Sequence, residues 1–262
     1  MAERRAAHQL FDRPPVFEDP LALRMAGNPR LDDHTRLGRY LRAFLAVRSR
    51  VAEDVLAAAD VSQYVIVGAG FDTFAYRNTN PRLRVFEVDH PATQEAKRAR
   101  LRDAGIDVPQ NLTFIAADLA VTSLREALTA GGFEEVQPAV FAWLGVVPYL
   151  EIPAIEATLR DIASFAGGAQ IVFDYGIPRK ALGFLGRIVF DRMAARVAAA
   201  GEPWKSFFTP PEIEAVVRDA GFTEVVDLGA AEINARYFAG RKDGLRVGEA
   251  GRIVHASRTA NV

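Results

Sequence analysis

Short apolar runs alternate with longer amphipathic stretches through the first two thirds of the chain. The runs are rich in Val, Ile and Phe and stop at glycine or polar residues, which is typical of buried β-strands. Five runs are predicted as strands, at residues 64–67, 83–88, 112–116, 139–144 and 169–173. Apolar positions at helical spacing predict helices over residues 41–60, 92–104, 121–130 and 152–165.

Buried strands that alternate with helices predict a parallel sheet covered by helices on both faces. Beyond the fifth strand, residues 176–220 are predicted to be mostly helical, and they are rich in large apolar side chains. Two further strands are predicted, at residues 223–228 and 252–257. The chain therefore belongs to the α/β class, and we expect a single domain over residues 1–262.

A glycine turn follows the first predicted strand directly, in the sequence VIVGAGFDT at residues 65–73. In an open parallel sheet, ligands bind at the carboxyl ends of the strands. Glycine lets a ligand approach the backbone closely because it has no side chain. We therefore predict cofactor contacts at Gly68, Ala69 and Gly70. A tight turn without a ligand is the alternative if this motif is taken alone.

Two further strand ends carry a carboxylate at the same edge of the sheet. Asp89 comes about twenty positions after the glycine turn and can accept hydrogen bonds from both ribose hydroxyls of an adenosine. Asp118 follows the third strand and can accept a bond from the adenine amine, while Leu119 packs near the ring. Either acid alone could be a helix N-cap or a surface charge. Suitable chemistry at three strand ends favours a nucleoside site.

The glycine turn also separates two cofactor classes. A dinucleotide-binding fingerprint has a third glycine where this chain has Thr73. Pyrophosphate binds at an uncluttered helix N-terminus, and the charge of Asp72 would repel it there. S-adenosylmethionine, with its cationic sulfonium and amino-acid tail, fits better. Arg48 or Arg50, on the helix before the first strand, can pair with the cofactor's carboxylate.

Composition and charge exclude several other kinds of site. Half of the residues are hydrophobic and a quarter are charged, as in ordinary globular proteins. With 32 basic and 33 acidic residues, the net charge of −1 provides no basic surface for nucleic acid. The absence of cysteine excludes disulfides and thiolate catalysis, and the four histidines lack metal-ligand spacing. We expect no metal and no nucleic-acid partner.

The hydropathy of the chain bears on where it works. No run has the length of a membrane span, and the N-terminal sequence lacks the apolar core of a signal peptide. We therefore expect a cytoplasmic monomer or homodimer that does not bind membranes and acts on a small molecule.

Several motifs make the sequence similar to the leucine carboxyl methyltransferase family. That family includes protein-phosphatase carboxyl methyltransferases, tRNA wybutosine enzymes and many actinobacterial polyketide O-methyltransferases. The resemblance covers roughly residues 10–240, and the glycine turn and the EVDHP run are quite specific to the family. The matching runs are GAGFDTFAYR at 68–77 and FEVDHPATQEAK at 86–97, with shorter ones at 17–22, 111–114, 143–150 and 173–175.

The resemblance implies a fold and a set of site residues. The fold is a Rossmann-like class I methyltransferase domain with a seven-stranded, mostly parallel sheet and an antiparallel final strand. An N-terminal helical segment at residues 1–60 and helices at 176–210 would form a lid. The implied cofactor contacts are Arg48, Gly68, Asp89, Asp118 and Leu119, and the implied substrate-positioning residues are Tyr149 and Tyr175.

One position departs from the family pattern. Leu144, which we predict to line the cofactor, stands where several carboxyl-methylating members have glutamate after the tryptophan. The missing carboxylate removes one contact to the cofactor's amino group and puts a phosphatase-type substrate in doubt. In this respect the chain is more similar to bacterial small-molecule methyltransferases.

Other polar candidates have two interpretations each. His90 is predicted to contact the cofactor; it could act as a general base or only shape the turn before a proline. Arg77 is either a surface cation or a functional one. His8 and His34 are predicted to lie at the surface.

The aromatic residues of the 176–210 segment also allow two interpretations. They could pack a helical cap onto the core, or they could roof the acceptor pocket, as the resemblance implies. We predict substrate contacts at Phe184, Trp204 and Phe207. Phe17, near the N-terminus, is a further predicted substrate contact.

The predicted reaction is SN2 transfer of a methyl group from S-adenosylmethionine to a carboxyl or hydroxyl oxygen of a small natural-product acceptor. A carboxylate acceptor needs no base, whereas a phenol benefits from one. An NAD(P)-dependent oxidoreductase is the first alternative, but no Tyr-x-x-x-Lys pair follows the fourth strand. A non-catalytic nucleotide-binding domain is the second.

Overall fold

Seven strands form one sheet in the computed structural model, which describes residues 2–27, 35–119, 121–199, 201 and 203–260. Each of the first five strands coincides with a predicted apolar run. β1 and β4 are buried throughout, whereas β3, at the edge of the sheet, is only partly buried. The strands are β1 Gln63–Val67, β2 Arg84–Asp89, β3 Leu112–Ala116, β4 Ala139–Trp143, β5 Ala169–Gly176, β6 Glu224–Leu228 and β7 Gly251–Arg258.

The strand order is β3-β2-β1-β4-β5-β7-β6. Neighbours among β1 to β5 pair in parallel, and β7 runs antiparallel to both β5 and β6. The predicted mostly parallel sheet with an antiparallel final strand is therefore confirmed. All five parallel strands end at one edge, which brings the glycine turn and the acidic strand ends to the same side of the molecule.

Helices connect the strands and cover both faces of the sheet. They are α1 Ala2–Phe11, α2 Ala22–Ala26, α3 Arg36–Ala58, α4 Phe74–Arg77, α5 Pro91–Asp103, α6 Leu124–Ala130, α7 Ile152–Ala163, α8 Phe184–Ala199, α9 Pro210–Asp219 and α10 Ala230–Tyr237. Short 3-10 turns occur at Val147–Tyr149 and Arg179–Ala181. None of the helices within the described residues is long and apolar enough to cross a membrane.

The hydrophobic core has two parts, one on each face of the sheet. One part joins Phe86, Phe141 and Trp143 of the strands to α6, α7 and α9. The other joins Ile66 and Val140 to the apolar face of α3 and to α10. Because side chains alternate along a strand, each strand contributes to both parts, which explains why the runs are apolar throughout rather than alternating.

Several elements differ from the sequence prediction, among them α3, which begins at residue 36 rather than 41, and the short helix α4, which was not predicted. Helix α6 begins at residue 124 rather than 121 because Ser123 caps it: the Ser123 hydroxyl accepts from Glu126 N at 3.1 Å. Residues 176–220 are not helical throughout, since 203–209, between α8 and α9, form neither helix nor strand. Helix α10 was not predicted.

Candidate functional site

The glycine turn lies at the carboxyl end of β1, as its sequence predicted. Gly68 and Gly70 have φ angles of 65° and 47°, in the left-handed region that favours glycine. The N–H groups of Gly68 and Ala69 donate to Val88 O at 2.8 and 3.2 Å, which ties the turn to the end of β2. The turn is therefore held against the strand that carries Asp89.

Asp89 connects the turn to the next helix. Its two carboxylate oxygens accept from backbone groups, Oδ2 from Gly70 N at 2.5 Å and Oδ1 from His90 N at 2.7 Å. A carboxylate offers about four acceptor positions, so these two bonds leave room for further donors. The side chain is half-buried. The Asp89 carboxylate is thus held in place at the end of β2 by two backbone N–H groups, and its remaining acceptor positions can bind hydroxyl groups.

Asp118 and Leu119 lie one strand further along the same edge. Ala117 N donates to Asp89 O at 2.9 Å, so the end of β3 is joined directly to the end of β2. Asp118 is half-buried, and Leu119 packs against the core on the α6 face. The structure therefore brings these two predicted residues together with Asp89 and the glycine turn.

Arg48 reaches the carboxyl edge from α3, where it forms a buried ion pair. Its Nη1 lies 2.9 Å from Asp174 Oδ2, and both side chains are 6% exposed. The other oxygen of Asp174 accepts from Gly145 N at 2.5 Å. Asp174 thus joins α3 to the loop after β4, and it places the Arg48 guanidinium beside the ends of β4 and β5. Arg50 instead pairs with Asp54 near the surface.

Gly68 is closely packed by a neighbouring loop, whereas Gly70 faces open space. A Cβ on Gly68 would lie 2.5 Å from Val146 Cγ2, so the loop after β4 packs directly on this residue. A Cβ on Gly70 would meet only Gly68 O, at 3.9 Å, and would otherwise enter open space. The open space beside Gly70 is bordered by the Asp89 carboxylate, which accepts from Gly70 N.

His90 acts as the N-cap of α5. Its Nδ1 accepts from Ala92 N at 3.3 Å, and Pro91 occupies the first helical position. The ring is exposed. This geometry agrees with the turn-shaping interpretation, and a cofactor contact at His90 stays a prediction.

The loop after β4, residues 144–151, carries two further predicted residues. Leu144 is half-buried and packs against the core on the α3 face. Tyr149 ends the 3-10 turn and is half-buried, with its N–H donating to Val146 O at 2.9 Å. Both lie in the loop that contacts Gly68 through Val146, so the loop borders the candidate site.

Tyr175 is oriented away from this group. Its side chain is 2% exposed and its hydroxyl donates to Asp227 Oδ2, on β6, at 2.8 Å. Arg252 Nε approaches the same carboxylate oxygen at 2.9 Å. Burial and the Asp227 carboxylate raise the pKa of Tyr175 well above its usual value. The hydroxyl is therefore protonated, and a substrate contact at Tyr175 stays a prediction.

Three aromatic residues of the predicted lid form a cluster. Phe190 lies 5.5 Å from Trp204 and 5.2 Å from Phe207 between ring centroids, and Trp204 lies 6.0 Å from Phe207. We call these three residues the lid cluster. Phe184, by contrast, is 78% exposed at the start of α8. Two of the three predicted lid contacts are thus brought together, with Phe190 as a third member.

The lid returns to the core through residues 203–209, the return segment. Lys205 N donates to Pro148 O at 2.7 Å, and Phe208 N donates to Gly176 O at 3.1 Å. The Ser206 hydroxyl donates to Val147 O at 2.8 Å. The return segment therefore lies against both the loop after β4 and the end of β5, which places the lid cluster at the edge of the sheet that carries the glycine turn.

Phe17, a predicted substrate contact, and Arg77, for which two interpretations were open, lie against each other. Phe17 is 4% exposed and lies under the Arg77 guanidinium, whose Cζ is 5.1 Å from the ring centroid. A substrate contact at Phe17 stays a prediction. Arg77 is not a surface cation, because it forms an ion pair with Glu53, with Nη2 and Oε1 2.5 Å apart.

The prediction that His8 lies at the surface is wrong. The ring is fully buried: Nδ1 lies 2.9 Å from Asp12 Oδ2, and Nε2 accepts from Val16 N at 3.0 Å. Arg42 Nε also contacts Asp12 Oδ2, at 2.8 Å. Burial acts to raise the pKa of Asp12, but the hydrogen bonds from His8 and Arg42 outweigh it and lower the pKa to about 2. His34 lies outside the described residues.

A second buried ion pair lies behind Asp89. Glu87 and Lys97 are each 1% exposed, and Lys97 Nζ lies 2.6 Å from Glu87 Oε2. Burial raises the pKa of Glu87 to about 7, against the opposing effect of Lys97. The pair ties α5 to β2 directly beneath the strand end that presents Asp89.

Two carboxylates important to this arrangement were not selected from the sequence. Asp174 stands inside an apolar strand, where an isolated acid signals a buried partner. Asp19 belongs to the FEDPLA run at 17–22 and is fully buried. In both cases the signal was present, but the partner lies far away in sequence and could not be identified. Within the described residues, no group of three or more His, Asp or Glu side chains is placed to hold a metal ion.

Comparison with known proteins shows which family the chain is similar to. The model of the leucine carboxyl methyltransferase family matches residues 1–163. A Bacillus subtilis protein, provisionally named an S-adenosyl-L-methionine-dependent methyltransferase, is 37% identical over 199 residues, which is 74% of this chain and 64% of the relative. A Mycobacterium tuberculosis protein with the same provisional name is 31% identical over 182 residues, covering 68% of this chain and 56% of the relative. The chain therefore spans about three fifths of the length of these relatives.

Among solved structures, the fold is similar to magnesium protoporphyrin IX methyltransferase from Synechocystis with bound S-adenosylhomocysteine. The TM-score is 0.54 at 14% identity, over 90% of this chain and 91% of that enzyme. At this identity the similarity concerns the fold alone, and it confirms the predicted Rossmann-like class I methyltransferase architecture. Together with the match over residues 1–163, it leads to one conclusion: the chain belongs to the leucine carboxyl methyltransferase family.

Proposed function

We propose that this chain is an S-adenosylmethionine-dependent methyltransferase that methylates an oxygen of a small acceptor. The observation that carries the proposal is the Asp89 carboxylate beside the open space at Gly70, with Gly70 N only 2.5 Å from Oδ2. Relatives named for the same cofactor support it. Two hydroxyl groups of a ribose match the remaining acceptor capacity of Asp89.

The other cofactor contacts follow from the same edge of the sheet. Asp118 would accept from the adenine amine, and Leu119 would pack beside the ring. The Arg48 guanidinium would hold the carboxylate of the amino-acid tail, as a charge-assisted pair. When bound, S-adenosylmethionine supplies an electrophilic methyl group on its sulfonium. The residues of this chain therefore contribute mainly by binding and orientation.

The acceptor pocket is assigned to the space between the loop after β4 and the predicted lid. The return segment bonds to Pro148 and Gly176, so the lid cluster and Tyr149 border the same edge. Aromatic side chains there would exclude water and orient a flat acceptor. Tyr175 cannot act as a base, because its pKa is raised and its hydroxyl donates to the Asp227 carboxylate. A carboxylate acceptor suits such a site best, because it needs no base, while a hydroxyl acceptor remains within the proposal.

A nicotinamide-dependent oxidoreductase is not favoured. The Asp72 carboxylate accepts from Phe74 N, at the first residue of α4, at 2.8 Å. That carboxylate lies at the helix N-terminus where pyrophosphate would bind in a dinucleotide site. The side chain of Thr73, at the third glycine position, is engaged by Arg77 Nε at 3.1 Å.

Calorimetry with S-adenosylmethionine, S-adenosylhomocysteine and NAD tests the cofactor assignment. We expect binding of the first two and none of NAD. Radiolabelled methyl transfer to carboxylic acids and phenols then tests the reaction. Binding of NAD alone would overturn the proposal, and cofactor binding without transfer to any oxygen acceptor would favour a non-catalytic nucleotide-binding domain.

Kinetics of lid variants test the acceptor pocket. Phe184→Ala is the cleaner variant because the side chain is 78% exposed, so little stability should be lost. We expect Phe184→Ala and Trp204→Ala to raise the acceptor KM or lower turnover while cofactor affinity stays within twofold. Val108→Ala, 49% exposed in the loop leading to β3, is the matched control. If neither lid variant changes acceptor kinetics, the pocket must be sought elsewhere, first around Phe17.

A further inference from the structure

The N-terminal segment reaches the glycine turn through a buried carboxylate. Asp19 is fully buried and lies between two arginines. Arg5 Nε donates to Asp19 Oδ2 at 3.1 Å, and Arg77 Nε lies 3.5 Å from Oδ1. Gln9 fixes the same segment, because its Oε1 accepts from Asp19 N at 3.0 Å. The carboxylate therefore has a defined position between α1 and α4.

Both arginines also contact the glycine turn. Arg5 Nη2 donates to the carbonyl oxygen of Phe71 at 2.5 Å, and Arg77 Nε contacts Thr73 Oγ1 at 3.1 Å. Phe71 follows Gly70 directly, and Thr73 is the residue before α4. A single buried carboxylate thus orients two cations that hold the turn from its outer side, while Asp89 holds Gly70 N from the inner side.

A glycine turn gains from such support. Glycine has more conformational freedom than any other residue, so an untethered turn samples many backbone shapes. Only a fraction of those shapes places Gly70 N against Asp89. A ligand that requires a fractionally populated shape binds more weakly by that fraction. Holding the carbonyl of Phe71 therefore keeps the turn in the shape seen here before any ligand arrives.

We propose that Asp19 is a positioning residue for the cofactor: through Arg5 and Arg77 it keeps the glycine turn in its binding shape without itself touching the cofactor. The inference rests on the proposed cofactor contacts at this turn. It assigns the N-terminal segment, residues 2–22, a part in cofactor affinity in addition to its part in packing.

The protein contains a matched network for comparison. His8, Asp12 and Arg42 also form a buried charged group, and it also anchors α1, in this case to α3. Asp12 is 2% exposed, so its burial is close to that of Asp19. The Asp12 carboxylate binds His8 and Arg42, rather than residues that hold the glycine turn. Replacing either Asp12 or Asp19 by asparagine removes one buried negative charge from a network that anchors α1.

The experiment measures the Kd of S-adenosylhomocysteine by calorimetry and the midpoint of thermal unfolding. We expect Arg5→Met and Asp19→Asn to raise the Kd about tenfold, the loss expected for one charge-assisted hydrogen bond. Asp12→Asn should lower the unfolding midpoint comparably but leave the Kd within twofold. Arg5→Met tests the contact to Phe71 directly if Asp19→Asn does not fold.

Two results would overturn the inference. One is a wild-type Kd in folded Arg5→Met; the other is a Kd increase in Asp12→Asn equal to that in Asp19→Asn, which would show a general effect of destabilising α1. Gly70→Ala separates this inference from the proposed site. If Gly70→Ala leaves the Kd unchanged, the turn does not hold the cofactor, and both the proposed site and the positioning role of Asp19 are wrong. If Gly70→Ala weakens binding but Arg5→Met does not, only the positioning role is wrong.

Discussion

Replacing Asp89 by asparagine should damage cofactor binding as much as replacing it by alanine. The two carboxylate oxygens each accept a backbone N–H, Oδ2 from Gly70 at 2.5 Å and Oδ1 from His90 at 2.7 Å. Asparagine has only one acceptor oxygen. Whichever way its amide turns, the NH₂ group faces a backbone N–H, and two donors repel each other. The isosteric replacement therefore cannot restore the local structure.

The size of the effect follows from the bonds lost. Hydrogen bonds to a charged group contribute about 1.5–3 kcal/mol each. Losing the two proposed ribose bonds at the lower figure removes about 3 kcal/mol of binding free energy, which raises the Kd on the order of a hundredfold. Loss of the backbone contacts adds disorder in the glycine turn, so this figure is a lower bound.

Calorimetry with S-adenosylhomocysteine measures this change in Asp89→Asn, Asp89→Ala and the control Asp103→Asn. Asp103 is an exposed acid at the end of α5, and its replacement should leave the Kd unchanged. Circular dichroism establishes that each variant is folded. A folded Asp89→Asn protein that binds within threefold of wild type would refute both the ribose assignment and the donor–donor argument.

Three further expectations follow from single contacts. Asp118→Asn should raise the S-adenosylhomocysteine Kd less than Asp89→Ala does, because an amide oxygen can still accept from adenine; a larger effect by calorimetry would reverse the two roles. Asp12→Asn should make the free energy of unfolding less dependent on pH below pH 4. The pKa of Asp12 is lowered from 3.8 to about 2, which contributes about 2 kcal/mol of stability above pH 4, and this contribution is lost as the pH falls toward 2. An unchanged pH dependence of unfolding between pH 4 and pH 2 would contradict this. Tyr175→Phe should lose about 2 kcal/mol of stability, measured by denaturant unfolding, through its bond to Asp227; a changed pH–rate profile would instead implicate Tyr175 as a base.

The sheet could be predicted from sequence because its signals are local. Each of β1 to β5 contains a short, mostly apolar run, and the glycine turn and acidic strand ends follow those runs closely. Parallel connection then brings all the strand ends to one edge, so Asp89 and Asp118 could be grouped without a structure. Helix α10 escaped prediction because its sequence, AAEINARY, is short and mixes polar and apolar residues.

The buried polar partners could not be predicted, because their pairings are distant in sequence. Asp174 and Arg48 are 126 positions apart, and Arg5 meets Phe71 O across 66 positions. The sequence of α1, AERRAAHQLF, does not show that His8 is buried. Its burial depends on Arg42 and Asp12 neutralising one another in the interior, which no periodicity reveals. Charged residues can be buried only when such partners are supplied.

The way the return segment is attached has a consequence for redesigning acceptor preference. Three of its four hydrogen bonds to the rest of the edge join main-chain atoms only: Lys205 N and Ser206 N both donate to Pro148 O, and Phe208 N donates to Gly176 O. Substitutions that change side chains leave these bonds in place. If the proposed acceptor pocket lies here, a library that varies Phe184 and the lid cluster would change its walls while the backbone of the return segment stays fixed, so new acceptors can be sought without rebuilding the cofactor half of the protein.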